Sequence, residues 1–175
     1  MINVRKAVLI SIRPRWCKKI ANGEKTIEFR KNRPQQRQPF KCYIYCTYGF
    51  REPDITKSFA EKCCGKVIGE FVCNGFVPFN GNKKWPHYGE TRAQAEAATP
   101  GILEKACMTP KELREYQPKG NPIGWCISDL VIYDSPKDLS EFAGIRTGQD
   151  SFELRVLDRP PQSWCYVEER ASNNK

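Results

Sequence analysis

The stretch Ala7 to Ile12, AVLISI, is almost wholly apolar and β-branched, a pattern that predicts a strand buried on both faces. The period then changes. In RPRWCKKIANG, Trp16, Cys17, Ile20 and Ala21 share one side and Arg15, Lys18, Lys19 and Asn22 the other, which predicts a short amphipathic helix. Pro14 suits its first turn and Gly23 its C-terminal stop. KTIEFRK returns to period two, with Ile27 and Phe29 pointing one way and Thr26, Glu28 and Arg30 the other. FKCYIYCT repeats the alternation, which predicts Phe40, Cys42, Ile44 and Cys46 inward and Tyr43 and Tyr45 outward. GKVIGEFVC, Gly65 to Cys73, reads as a further strand in which Gly69 marks the close approach of a neighbour.

From Asn74 to about Gly101 the chain is rich in Gly, Pro and Asn, and the expectation is loops around a short helix. In MTPKELREY, Thr109 is an N-cap, Pro110 takes the first helical position and Glu112 completes a capping box. PIGWCISDLVIYD and QSWCYVEE predict the closing strands; Ser135 to Phe142 predicts a short helix or turn, and 143–160 a surface excursion. No internal repeat or low-complexity tract is present. The pattern therefore predicts an α+β protein: a small β-barrel of about six strands with two or three short peripheral helices. It spans 1–175 as a single domain, with loop-rich insertions at about 74–101 and 143–160.

Composition narrows the function classes. At 175 residues the chain can bury a sizeable core. Its nine cysteines fall mostly inside apolar runs (Cys42, Cys46, Cys73, Cys126 and Cys165), as reduced cysteines do when they serve as small hydrophobes. Cys63 and Cys64 read as an exposed turn. There is no C-x-x-C pair and the one histidine is His87, so neither a structural metal nor a cofactor is expected. No apolar run is long enough for a bilayer and the first residues lack a signal-peptide pattern, so a reducing cytoplasm is the expected location and a membrane partner is not.

The net charge is +9, and its distribution changes the picture more than its size. Residues 1–41 hold 12 basic side chains against Glu24 and Glu28 alone, whereas the other 134 residues hold 17 against 18. A concentrated basic region is the electrostatic footprint of a polyanion binder.

The residues now carry a resemblance. A strand, a helix and then Gly23-x-Lys25-x-x-Glu28-x-Arg30 on a second strand is similar to the G-x-K-x-x-E-x-R signature of the ASCH domain. The fuller string SIRPRWCKKIANGEKTIEFRKNRP, with YIYCT, GKVIGEFVC, GWCISDLVIYDSPKDLSEF and PPQSWCYVEE after it, resembles ASCH-domain proteins of bacteria and their phages. The resemblance implies a PUA-like β-barrel that binds RNA or nucleotides in a cleft near the signature. Some members of the family are enzymes, with ribonuclease activity or hydrolysis of the acetyl amide of acetylated cytidine. The latter branch carries K-T-I-T-I-R, in which the lysine activates the second threonine. Lys25, Thr26, Ile27 and Arg30 match it, but Glu28 stands at the nucleophile and Ala106 where the branch has a glutamate.

On this reading Arg13, Arg15, Lys18 and Lys19 line the helix, and Lys31, Arg33 and Arg37 continue past the signature, to neutralise phosphates. Lys25, Glu28 and Arg30 form a polar floor that reads a base edge, because a carboxylate has no use in a purely phosphate-binding site. Trp164 and Trp125 are each balanced between core and base-stacking platform, and Trp85 and His87 fall in the middle loop. If the protein is an enzyme acting on RNA or a modified nucleoside, Lys25 and Glu28 are its catalytic pair.

Overall fold

The computed structural model describes residues 4–49, 52–79, 101–119, 121–147 and 152–171. Their order is β1 (Lys6–Ile12), α1 (Pro14–Ala21), β2 (Ile27–Arg30), β3 (Phe40–Cys46), α2 (Lys57–Cys63) and β4 (Lys66–Pro78). There follow a helical stretch at 101–106 (α3), α4 (Pro110–Tyr116), β5 (Ile123–Asp138), a 3₁₀ turn at Leu139–Glu141, β6 (Ala143–Thr147), β7 (Phe152–Val156) and β8 (Trp164–Glu168). The fold is thus α+β with eight strands among the described residues, in the hydrogen-bonded order β2-β5-β4-β3-β1-β8-β6-β7. The sheet is mixed: β1 runs parallel to β3 and antiparallel to β8.

This corrects the six-strand barrel. The sheet is not closed, since the order ends at β2 and β7. The two strands missing from the expectation are β6 and β7, an antiparallel pair within 143–160, where the sequence predicts an excursion. FELRV alternates with period two, and that signal was available. Asn74 to Pro78, in a stretch expected to be loop, continues β4.

The chain divides into two compact units. The first comprises Met1–Lys18, Pro39–Val72 and Asp129–Lys175, the second Lys19–Gln38 and Cys73–Ser128. The first unit packs Ala7, Leu9, Tyr43, Tyr45, Val67, Phe142 and Val167 into one cluster. Tyr43 and Tyr45 are therefore inside, not outside as alternation predicts. A tyrosine is tolerated there when its hydroxyl finds a partner: the Tyr43 hydroxyl accepts a hydrogen bond from the Arg170 backbone N–H at 2.8 Å, and its ring lies edge-on to Phe142. A Cβ at Gly69 would collide with the Val131 carbonyl oxygen, so the strands approach as closely as that glycine predicts.

All nine cysteines are free thiols. Cys63 and Cys64 are buried at the end of α2, contrary to the exposed turn expected, and the Cys64 N–H closes the helix onto the Ala60 carbonyl. Burial, reinforced by Cys46, pushes the Cys64 thiol up to about 12, and burial lifts the Tyr43 phenol to about 12 as well. Both groups stay neutral in the folded chain at a pH where the unfolded chain has begun to ionise. Stability is therefore full below the unfolded thiol value near 9 and declines as pH rises toward 12. Urea midpoints at about pH 8 and about pH 10.5 are expected to fall in that order. Among the described residues no helix is long and apolar enough to cross a membrane.

Candidate nucleic-acid interface

The signature strand β2 is only four residues long and lies at one end of the strand order. It pairs antiparallel with the first part of β5, in the register Ile27↔Cys126, Glu28↔Trp125, Phe29↔Gly124 and Arg30↔Ile123. One face of the strand is apolar. Ile27 and Phe29 pack with Phe79, Leu103, Ala106 and Leu113 in the core of the second unit. Gly124 permits this, because a Cβ there would lie 2.7 Å from Ile27 Cγ2.

The polar face is buried as well. Lys25 is 1% exposed, Glu28 5% and Arg30 8%. The three form one ion-paired row. Lys25 Nζ lies 3.3 Å from Glu28 Oε2, and Arg30 Nη2 lies 3.1 Å from Glu28 Oε1. Strict alternation would point Lys25 away from Glu28. It precedes the strand instead, where its N–H donates to the Lys19 carbonyl at the end of α1 and its direction is not set by the pleat. Lys25 Nζ also donates to the Ala106 carbonyl at 2.6 Å. The Lys25–Glu28 contact is an ion pair without hydrogen-bond alignment, so Glu28 Oε2 accepts no hydrogen bond among the described residues.

Two rings complete the arrangement, and the sequence reading missed both. Tyr116 is the last residue of α4, a helix started by the predicted capping box: Thr109 Oγ1 accepts from the Glu112 N–H at 3.2 Å while Glu112 accepts from the Thr109 N–H at 2.8 Å. Burial pushes the Tyr116 phenol up, and the neighbouring Arg30 guanidinium partly offsets that. Phe76 lies edge-on to Trp125, centroids 5.7 Å apart. Outward from the row, Lys31 Nζ sits 5.6 Å from the Tyr116 centroid and the Arg33 guanidinium 5.3 Å from that of Phe76. Both cations are exposed and both rings half-buried. The spacing Leu113 to Tyr116, one helical turn, was the available signal for Tyr116.

The other predicted residues do not all join this group. Arg13, Arg15, Lys18 and Trp164 belong to the first unit, and Lys19 to the second. The Arg13 carbonyl accepts the first N–H groups of α1. Arg15 lies 4.0 Å over the Trp16 ring, and its N–H donates to Glu52 at 2.8 Å. Lys18 Nζ donates to the Asp54 carbonyl at 3.0 Å. Lys19 pairs with Glu24 at 3.3 Å, an exposed pair of small energetic weight. Trp164 is half-buried and edge-on to Tyr166, while Trp125 is fully buried and belongs to the core. Trp85 and His87 lie outside the described residues. Among the described residues no group of three His, Cys, Asp or Glu side chains is placed to hold a metal ion. The second unit contains 13 basic side chains against 7 acidic, so the excess charge is concentrated in the unit that carries the signature.

The mixed eight-strand sheet has the fold of solved ASCH structures. Solved structures of ASCH from Zymomonas mobilis share it. Two single-substitution variants superpose with TM-scores of 0.55 and 0.62 at 20% identity, covering 94% and 96% of this chain and 92% of each of theirs. The unsubstituted protein superposes with a TM-score of 0.51 at 21% identity, covering 93% of this chain and 88% of its own. No protein-family model matches the chain, and no curated protein matches it.

Proposed function

We propose that the second unit binds RNA or a nucleotide at the Lys25–Glu28–Arg30 row and the exposed cations that follow it. The observation that carries this reading is the pairing of cation and ring outside the row: Lys31 over Tyr116 and Arg33 over Phe76. Cations that track a phosphate backbone, interleaved with half-exposed rings on which bases stack, are the working surface of single-strand binders. The buried row supplies the floor. Glu28 Oε2 accepts no hydrogen bond among the described residues, and on this reading it would take the exocyclic amine of a base that displaces the cover over the row. Arg30 holds the carboxylate from its other oxygen. A reducing cytoplasm is the location we propose, on the strength of the nine free thiols.

Filter binding or anisotropy with a short single-stranded RNA, read at several salt concentrations, tests the proposal. Lys31→Ala with Arg33→Ala touches only exposed side chains, and is expected to lower the magnitude of the salt slope by about 1.4, or about 0.7 for each phosphate no longer neutralised. Salt-dependent binding whose slope is the same in the double variant would place the RNA elsewhere. The same reactions are assayed for product. Turnover abolished by Glu28→Gln in a folded variant would make Lys25 and Glu28 a catalytic pair and replace the binding reading with an enzymatic one.

A further inference from the structure

The strand order has two ends, and they differ. At one end β2 is buried along its whole length. At the other, β7 pairs with β6 alone among the described residues, and Glu153, Leu154, Arg155 and Val156 are all exposed. Leu154 is 38% and Val156 59% exposed. Apolar side chains open to water beside unpaired backbone groups mark an edge that another strand can complete.

The register shows which backbone groups that edge presents. The Leu157 N–H donates to the Phe142 carbonyl at 2.9 Å, one step beyond the Ala143↔Val156 pair. Hydrogen-bonded pairs recur at every second residue of an antiparallel ladder, so Arg155 and Glu153 direct their N–H and C=O groups at β6. Phe152, Leu154 and Val156 therefore turn theirs away from β6, toward the open edge.

The sequence of the strand states what can pair there. FELRV is its own antiparallel complement about Leu154. Two copies aligned on that residue set Leu154 opposite Leu154, Phe152 opposite Val156 and Glu153 opposite Arg155. Every outward-facing residue is then matched, which gives about six backbone hydrogen bonds. Glu153 and Arg155 fall at the non-hydrogen-bonded pairs, where facing side chains come closest. The adjacent registers that still match outward groups are centred on Glu153 or on Arg155. Each sets like charges opposite one another and leaves one outward residue without a partner. Charge and hydrogen bonding thus select the same register. Within the chain Arg146 stands opposite Glu153 and Ile145 opposite Leu154. In the pair of copies Glu153 lies between its own Arg146 and the second Arg155, while on the other face the Ile145–Leu154 row continues across both strands.

We infer that β7 is a dimerisation edge, occupied by β7 of a second copy of this chain in antiparallel register about Leu154. A two-fold axis through Leu154 relates the copies and joins their sheets into one. Contact is confined to one short strand, so the dimer is weak, with a Kd on the order of 10–100 μM. Every residue in it belongs to the first unit, so it forms independently of the signature interface.

Sedimentation equilibrium of the whole chain without RNA, from about 5 μM to about 500 μM, tests the inference by spanning that Kd. The parent is expected to pass from monomer to dimer across the range. Glu153→Arg alone and Arg155→Glu alone each set like charges opposite at two places, and each is expected to weaken self-association at least about tenfold. Mixed together, the two variants meet opposite charges at both places and are expected to associate about as tightly as the parent. That recovery is specific to a register in which 153 faces 155, and it shows that both variants are folded. The substituted side chains are exposed, so thermal unfolding of each variant is expected to stay close to that of the parent. Leu154→Lys, at the two-fold axis, is expected to abolish the dimer. A parent that remains monomeric at about 500 μM, self-association unaltered by either charge reversal, or a mixture no tighter than the single variants would overturn the inference.

Discussion

Glu28→Ala is expected to destabilise the protein by about 3–5 kcal/mol, among the largest effects that a single substitution can have in this chain. The carboxylate lies between Lys25 and Arg30, and all three are less than a tenth exposed. Removing it leaves two cations desolvated without the charge that offset their desolvation. Built intact, such a row contributes little net stability, because burying the charges costs about as much as pairing them gains. The large effect belongs to its disruption. Denaturant midpoints of Glu28→Ala, Lys25→Met and the double variant measure it as a coupling: the double variant is expected to be more stable than the sum of the two single losses predicts. A loss below about 1 kcal/mol in Glu28→Ala would show that water reaches the row and that its charges are not desolvated.

Trp125→Ala is the second large effect, also expected at about 3–5 kcal/mol, the usual range for truncating a buried tryptophan. Trp125 is 0% exposed, stands opposite Glu28 in the ladder and meets Phe76 edge-on. Thermal unfolding measures the loss, and the emission of the parent is expected to show a tryptophan shielded from water. Trp125→Phe keeps most of the buried area and is expected to cost less. A stable Trp125→Ala variant that had lost RNA affinity would instead make this residue a stacking surface, the alternative that its strand position left open.

These two residues show how far the sequence carried. The signature could be placed on a strand from its alternation, and the helix before it from its period, because both are local patterns. The capping box of Thr109 and Glu112 was legible to the residue for the same reason. What the sequence did not disclose was depth. Glu28 and Arg30 alternate with Ile27 and Phe29 as a solvated face would, yet β2 is buried throughout. A charged face is buried only when a neighbour neutralises it, and here that depends on Lys25, Glu28 and the Ala106 carbonyl, which lies 81 positions from Lys25. Tyr43 and Tyr45 misled in the same way, since a phenol reads as polar until its hydroxyl partner is known. The β6–β7 pair was missed for a different reason: its five-residue strands are short and Gly144 interrupts the first.

The pairing of β1 with β8 has a consequence for synthesis. Leu9 is hydrogen-bonded in register with Cys165, so one neighbour of the first strand leaves the ribosome roughly 150 residues after it, a delay of roughly 10–30 s at ordinary translation rates. Through that interval a nearly continuous apolar strand has one unsatisfied edge, the geometry that recruits other strands. Folding in the cell is therefore tied to whatever shields that edge during elongation, and slowing translation over the last third of the chain is expected to lower the soluble yield.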